Sequence, residues 1–379
     1  MLTEAENERI SLVGPGKPMG NLMRRYWHPV AATVELENSP VKAVKLLGES
    51  LVLYRDNRDE IGLLEESCPH RGASLAHGIV ENEGIRCPYH GWVYNTRGEC
   101  IEQPFEQREG VFDDSIKAKS YPVKEAGGLV FAYMGPEPTP MLPHYGPIDQ
   151  EKGLKEINGT SIACNWLQVM ENLLDPYHVE SLHGRYFEYV LQRKGGNQLE
   201  EFKAHYAPQP MKRIRFDLFE GGIVERHMCR SEEEVSWKQG SPTFFPTTTL
   251  AGSASGGSMA VYFVVPLDDS HTWLVVYLAR RTDDSPADVV PFVDVPGTDT
   301  EGRFIIDTAN GQDHMAVATQ GNIARRNLEY LGSSDAGIVL YRNLLMEQME
   351  EVERGKDPMN VRRGSAKAVL SDFPVIGNF

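Results

Sequence analysis

A chain of 379 residues, 41% of them hydrophobic, is long enough for two globular units of ordinary size. Its 38 basic residues against 54 acidic ones leave a formal charge of −16, which argues against nucleic acid because phosphate binding needs a concentrated basic footprint. Five cysteines at irregular spacing (Cys68, Cys87, Cys100, Cys164, Cys229) make a poor disulfide framework and fit a cytoplasmic set of thiols.

The N-terminus, MLTEAENERI, has neither a basic nor an apolar signal region, so no signal peptide is read there. Within residues 1–25, taken as an N-terminal segment, the glycine-rich VGPGKPMG follows no strand and does not fit G-x-G-x-x-G, so it reads as a turn and not as a nucleotide loop. From residue 26 to 145 short strands alternate with turns: VKAVKLL and SLVLYR flank Gly48, GLLEES follows, and GGLVFAYMG closes the region. The stretch PEPTPMLPHYGP, Pro136 to Pro147, is dense in proline and reads as an interdomain linker. In residues 146–379 a helical segment is predicted from Cys164 to Tyr189, then strands in RIRFDLF, GGIVERHM, MAVYFVVPL and HTWLVVYLA. Ile338, Tyr341, Leu345, Met349 and Val352 recur at helical spacing before Gly355, a C-terminal stop. The longest apolar runs, LVFAYM and WLVVYLA, are strand-length and cannot span a bilayer.

Two tight pairs lie in the first of these regions, Cys68-x-His70 in CPHRGASL and Cys87-x-x-His90 in CPYHGWVY. Two Cys and two His suit either a structural zinc or a Rieske [2Fe–2S] cluster, in which one iron takes both cysteines and the other both histidines. One Cys and one His in each pair favours the cluster, since zinc ribbons more often repeat C-x₂-C knuckles. Each loop also has Pro after its Cys and Gly after its His, residues that could turn backbone N–H groups toward the sulfurs, with Trp92 and Tyr94 shielding one side.

A second constellation lies in NWLQVMENLLDPYHVESLHG: Asn172, Asp175, His178 and His183. Two imidazoles and a carboxylate form the facial triad that holds Fe(II) with open positions. In a regular helix residues five apart are rotated by about 140°, so His178 and His183 share a face only if a π-bulge or a break near Pro176 intervenes. Surface or packing roles remain the commoner use of such a His pair. Asp175 is also well placed to cap a helix starting at Pro176.

Asn172-x-x-Asp175-x-x-His178-x-x-x-x-His183, together with the Cys/His loops, resembles the Rieske non-haem iron oxygenases along nearly the whole chain. The resemblance implies an α+β fold, an all-β Rieske domain followed by a helix-grip (START/Bet v 1-like) catalytic domain with an antiparallel sheet. It implies that Asp313, in NGQDHMAVATQGNIARRNLEYLGSSD, is the third ligand beside His178 and His183, with Asp307 its nearest competitor and His314 not a ligand. It also implies a head-to-tail homotrimer, in which Asp175 bridges His178 to His90 of the partner subunit.

Such an enzyme uses O₂ and electrons that originate in NAD(P)H. No nucleotide or flavin motif is seen, so a separate reductase, with or without a ferredoxin, is the expected donor. Within the family the sequence looks most like the phthalate-dioxygenase-like branch. CNWLQVMENLLDPYHVESLHG and VPLDDSHTW especially resemble the 5,5′-dehydrodivanillate O-demethylase oxygenases. The implied reaction is O-demethylation of a methoxylated aromatic acid with release of formaldehyde; the alternative is ring hydroxylation or cis-dihydroxylation of a phthalate-like acid. A Rieske ferredoxin would need only the first region, and a ligand-binding module with structural zinc would need no iron. For a carboxylated substrate Arg185, Arg226 and Arg280 are candidate partners, and Tyr186, Phe187 and Phe263 candidate aromatic walls, each with surface or core packing as the plainer role. Trp166 and Gln168 are expected to stabilise the iron helix.

Overall fold

The computed structural model describes residues 2–105, 115–150, 152–205, 213–230, 235–252, 257–282 and 289–364. Two short helices open the chain, Glu4–Ser11 (α1) and Pro18–Met23 (α2). Thr3 caps α1 in a reciprocal box with Glu6, and Pro18 begins α2, where its missing N–H is not needed. The VGPGKPMG stretch, expected as a turn, is therefore half turn and half helix.

Trp27–Ala32 (β1) and Thr33–Asn38 (α3) lead into three small antiparallel sheets. Val41–Leu46 (β2), Glu49–Arg55 (β3) and Ile61–Glu65 (β4) form one of them. Its first hairpin turns at Leu47 and Gly48, whose φ values of 50° and 81° are those a two-residue primed turn requires. Ile79–Glu81 (β5), Gly84–Arg86 (β6), Val93–Tyr94 (β7) and Cys100–Glu102 (β8) form the second. Val123–Ala126 (β9) and Leu129–Tyr133 (β10) complete the third, in the order β1-β10-β9. Cys68, Cys87, Trp92 and Tyr94 share a small core with Val52, Tyr54, Leu64, Leu75 and Ile85.

The proline-rich stretch is pinned down along its length. Trp27 Nε1 donates to the Pro140 carbonyl at 3.0 Å, and the Met141 N–H donates to the Arg362 carbonyl at 2.9 Å. Tyr145 is buried against Phe131 and Phe263, so one continuous core runs from β1 and β10 into the second half.

That half begins with Gly146–Asp149 (α4) and Leu154–Ile162 (β11), then Trp166–Leu173 (α5), a π-helix at Val179–Tyr186, Phe187–Lys194 (α6) and Gln198–His205 (α7). The helical segment expected from Cys164 to Tyr189 thus has its break near Pro176, at Leu174–Pro176, and continues as a π-helix. Seven strands follow: Ile214–Phe219 (β12), Gly222–Arg230 (β13), Val235–Phe244 (β14), Thr248–Gly252 (β15), Ser258–Pro266 (β16), Thr272–Arg280 (β17) and Phe292–Asp294 (β18). With β11 they form an eight-stranded sheet, ordered β12-β13-β14-β15-β16-β17-β11-β18, antiparallel except where β18 runs parallel to β11. Ala309–Ala318 (α8) packs on α5, and Ala336–Glu353 (α9) packs on β12 and β13. The result is the expected α+β architecture: small β sheets first, then helices against one large sheet. Among the described residues no helix is long and apolar enough to cross a membrane.

Candidate functional site

The two Cys/His loops are built to one pattern. The Cys68 N–H donates to the Ala73 carbonyl and the Gly72 N–H to the Cys68 carbonyl, at 2.9 and 2.8 Å. In the second loop Cys87 and Trp92, and Gly91 and Cys87, make the same two bonds at 2.8 and 3.1 Å. Gly72 and Gly91 have φ of 75° and 73°, a left-handed geometry that glycine adopts without cost. Each loop so closed presents its Cys into the small core and its His toward the other loop; the His70 and His90 rings lie 4.6 Å apart.

Trp92 stacks on His70 at 4.3 Å, and Tyr94 Oη lies 3.4 Å from Cys68 Sγ. Burial pushes the Cys87 thiol up, the N–H groups of Tyr89 and His90 oppose this, and the neighbouring Cys68 sulfur adds to it. Thus two sulfurs sit together, with backbone N–H groups aimed at one of them and two imidazoles alongside. Among the described residues the set of three or more donors that closes within 4.8 Å is His178, His183 and Asp313. The four loop donors are spread more widely, which suits a two-iron cluster better than one tetrahedral zinc.

The second centre depends on the break after α5. Asp175 Oδ1 accepts from the Tyr177 N–H at 2.9 Å, the capping role expected for it, and restarts the helix across Pro176. Burial raises the Asp175 carboxyl above its ordinary range, while the Tyr177 N–H and His178 pull it down. In the π-helix i→i+5 bonding replaces i→i+4, so residues five apart come onto one face. The His178 and His183 rings are accordingly 5.0 Å apart.

Both Nε2 atoms converge on Asp313 Oδ1 from α8, at 3.5 Å for His178 and 3.0 Å for His183. Each Nδ1 has its own acceptor: the Asp175 carbonyl for His178 and, at 3.0 Å, Gln312 Oε1 for His183. Those bonds place the Nδ1 protons, so that in neutral imidazole each Nε2 is the atom free to bind a metal held together with Asp313. Asn172 Nδ2 donates to Asp313 Oδ1 at 3.1 Å and orients the carboxylate. Burial lowers the His183 imidazole, but its contact with Asp313 outweighs this and the net direction is up. This donor set fits a mononuclear iron.

A cavity of about 300 Å³ opens beside Asp313. Strand alternation explains one wall: Asn158, Thr160 and Ile162 of β11 point inward with Leu274 and Val276 of β17 and Tyr262 of β16. Helical spacing explains the other, through Asn310, Asp313, His314 and Val317 of α8 and Val169, Asn172 and Leu173 of α5.

None of the arginines or aromatics proposed from sequence lines it. Arg185 is exposed and pairs with Glu180, Arg226 pairs with Asp217, and Arg280 ends β17 opposite Leu154. Tyr186 stacks on Tyr189, Phe187 packs near Phe202, and Phe263 is buried core. Asp307 pairs with Lys194 and takes no part in the donor cluster. Trp166 and Gln168 lie on α5, ahead of the helix that bears the histidines, and tie α5 to its neighbours: Trp166 Nε1 donates to the Ser11 carbonyl, and Gln168 Nε2 to the carbonyls of Val317 and Gly321. Sequence reading missed Gln312 and the polar cavity wall; the Gln in QDH, one residue before the expected ligand, was the available signal.

Comparison with known proteins finds matches for both halves of the chain. Residues 26–122 match the Rieske [2Fe-2S] domain, and residues 162–351 match the vanillate O-demethylase oxygenase C-terminal domain. The chain is 36% identical to the 5,5′-dehydrodivanillate O-demethylase oxygenase subunit of Sphingobium sp. (strain NBRC 103272 / SYK-6), over 99% of this chain and 87% of that one. It is 33% identical to the phenoxybenzoate dioxygenase subunit alpha of Ectopseudomonas oleovorans, over 96% and 89%. Among solved structures, Pseudomonas putida CBB5 NdmA with caffeine shares the fold at a TM-score of 0.66 and 21% identity, over 91% of this chain and 98% of that one.

Proposed function

The chain belongs to the Rieske non-haem iron oxygenases, and we propose that it is the terminal oxygenase of an O-demethylase acting on a methoxylated aromatic acid. Oxygenases of this family carry a [2Fe–2S] cluster and a mononuclear iron, which supply electron storage and O₂ activation when bound. In our assignment Cys68 and Cys87 hold one cluster iron and His70 and His90 the other, while His178, His183 and Asp313 hold the mononuclear iron. The observation that carries the reading is two Nδ1-anchored imidazoles and a carboxylate opening onto a cavity of one-ring size, in a chain that also holds the Cys/His loops.

The protein's own residues then have defined tasks. Asp175 and Gln312 fix the two imidazole tautomers, Asn172 fixes the carboxylate, and the aliphatic wall of Val169, Leu274, Val276 and Val317 excludes water from the substrate ring. For an aryl methyl ether the balance is ArOCH₃ + O₂ + 2 e⁻ + 2 H⁺ → ArOH + CH₂O + H₂O, the hydroxylated methyl leaving as formaldehyde. Electrons come from a separate reductase or ferredoxin fed by NAD(P)H.

Asp175 serves as the bridge between copies in a head-to-tail homotrimer. Supporting this, Tyr89 beside His90 is 56% exposed, and Tyr330 is 95% exposed in the loop leading to Asp335, whose charge acts on Asp175. A cytoplasmic setting fits four buried free cysteines, the Cys229 side chain lying outside the described residues.

The test is a substrate panel with purified oxygenase, a generic reductase, NADH and O₂. Formaldehyde released in step with a phenol from a methoxyarene acid is the expected result. Diol or ring-hydroxylated products from phthalate-like acids without formaldehyde would favour the ring-oxidising alternative, for which the phenoxybenzoate dioxygenase likeness speaks.

A further inference from the structure

We propose that His314 is the residue that recognises the substrate: the methoxy-bearing ring enters the cavity uncharged and accepts a hydrogen bond on a ring oxygen from His314 Nε2–H, while the acid group stays outside. This rests on the oxygenase reading and specifies what its cavity takes.

His314 lies on α8 next to Asp313, lines the cavity and is only 7% exposed. Its Nδ1 is buried with no hydrogen-bond partner among the described residues. That edge of the ring is sealed by Gly297, where even a modest Cβ would sit 1.6 Å from Nδ1. A buried N–H without an acceptor is costly, about 1–3 kcal/mol, so the proton belongs on the other nitrogen. His314 therefore offers the cavity a fixed Nε2–H donor.

Most other polar groups of the wall are already engaged. Thr160 Oγ1 donates to the Val295 carbonyl at 2.9 Å, Asn310 Nδ2 to Thr160 Oγ1 at 3.4 Å, and Asn158 Nδ2 to Glu156 Oε1 at 3.0 Å. Asn172 is held by Asp313. His314 and Tyr262 remain without a protein hydrogen bond among the described residues, on α8 and on β16 respectively.

No Lys or Arg is among the described lining residues, and the one charged group there is the Asp313 carboxylate. A substrate carboxylate buried in this space would have no cation to pair with, an arrangement proteins avoid. The volume of about 300 Å³ is at the small end for ligand sites and suits a single ring.

The test measures equilibrium binding of three probes to the anaerobic holoenzyme: 4-methoxyphenol, 4-methoxybenzoate and ethylbenzene. Wild type is expected to bind 4-methoxyphenol about tenfold or more tighter than 4-methoxybenzoate, the step expected for one hydrogen bond and one avoided buried charge. His314→Phe should weaken 4-methoxyphenol about tenfold and leave ethylbenzene unchanged; His314→Gln, which keeps a donor, should recover most of the loss. Iron content and the visible spectrum report that each variant is intact.

If His314→Phe loses iron, Gly297→Ala, which displaces the ring without altering it, must show the same selective loss. Unchanged 4-methoxyphenol binding in the intact variant, equal losses for 4-methoxyphenol and ethylbenzene, or tighter binding of 4-methoxybenzoate would each overturn the proposal. Selective binding with no formaldehyde from any methoxyarene would uphold His314 and remove the demethylase reading.

Discussion

At the scale of residues, the donors at the second centre are held from behind. His183 keeps its Nδ1 proton on Gln312 Oε1, and Gln312 is in turn tied by Nε2 to the Ile306 carbonyl at 2.9 Å. Removing that acceptor frees the ring to rotate and to exchange tautomers. Gln312→Leu is predicted to weaken mononuclear iron binding by roughly 10–100-fold while leaving the cluster's visible absorption unchanged. Iron titration of the chelated protein checks this; wild-type affinity in the variant would show that Gln312 does not position His183.

Cys68, His70, Cys87, His90, His178 and His183 were legible because donors of the same centre lie close together in sequence. Gln312 was not, since its partner is 129 residues away and no spacing announces a hydrogen bond across the fold. The proposed pocket arginines failed for a related reason: a strand position tells which face a side chain takes, not what covers that face.

At the scale of elements, the His178–His183 spacing already demanded a departure from the α-helix, and the π-helix supplies it. What the pattern did not reveal was β11. LKEINGTSI holds Gly, Asn and Lys, weak strand formers, and is held instead by nine-residue pairing with β17. That pairing puts Asn158 and Thr160 into the cavity wall.

Helix α5, which carries Asn172 to the site, is anchored by charge as well. Glu171 bonds both Arg326, at 2.8 Å, and Arg342, at 2.7 Å, and Arg326 reaches on to Asn7 and Ser11 of α1. Arg326 is 1% exposed, so a missing partner leaves a buried charge uncompensated. Glu171→Ala is predicted to cost about 3–5 kcal/mol of unfolding free energy in urea melts. A loss within about 0.5 kcal/mol, the range of ordinary surface changes, would mean the network does not anchor the helix.

At the scale of the whole molecule, two iron centres occupy the two halves of a chain with a continuous core. The α+β order followed from the family resemblance; the residue pattern by itself showed only short strands giving way to mixed helices and strands. The pinning of the proline-rich stretch was not, because proline density looks alike in a free linker and in a packed one. The central claim, two separate iron sites with the residues assigned above, is tested most directly by iron, zinc and acid-labile sulfide analysis of wild type beside Asp313→Ala. Wild type is expected to hold about three irons and two sulfides per chain and no stoichiometric zinc. Asp313→Ala should lose about one iron, keep both sulfides and the cluster spectrum, and cease turnover. Zinc without sulfide in wild type, or full iron and normal turnover in the variant, would contradict the account.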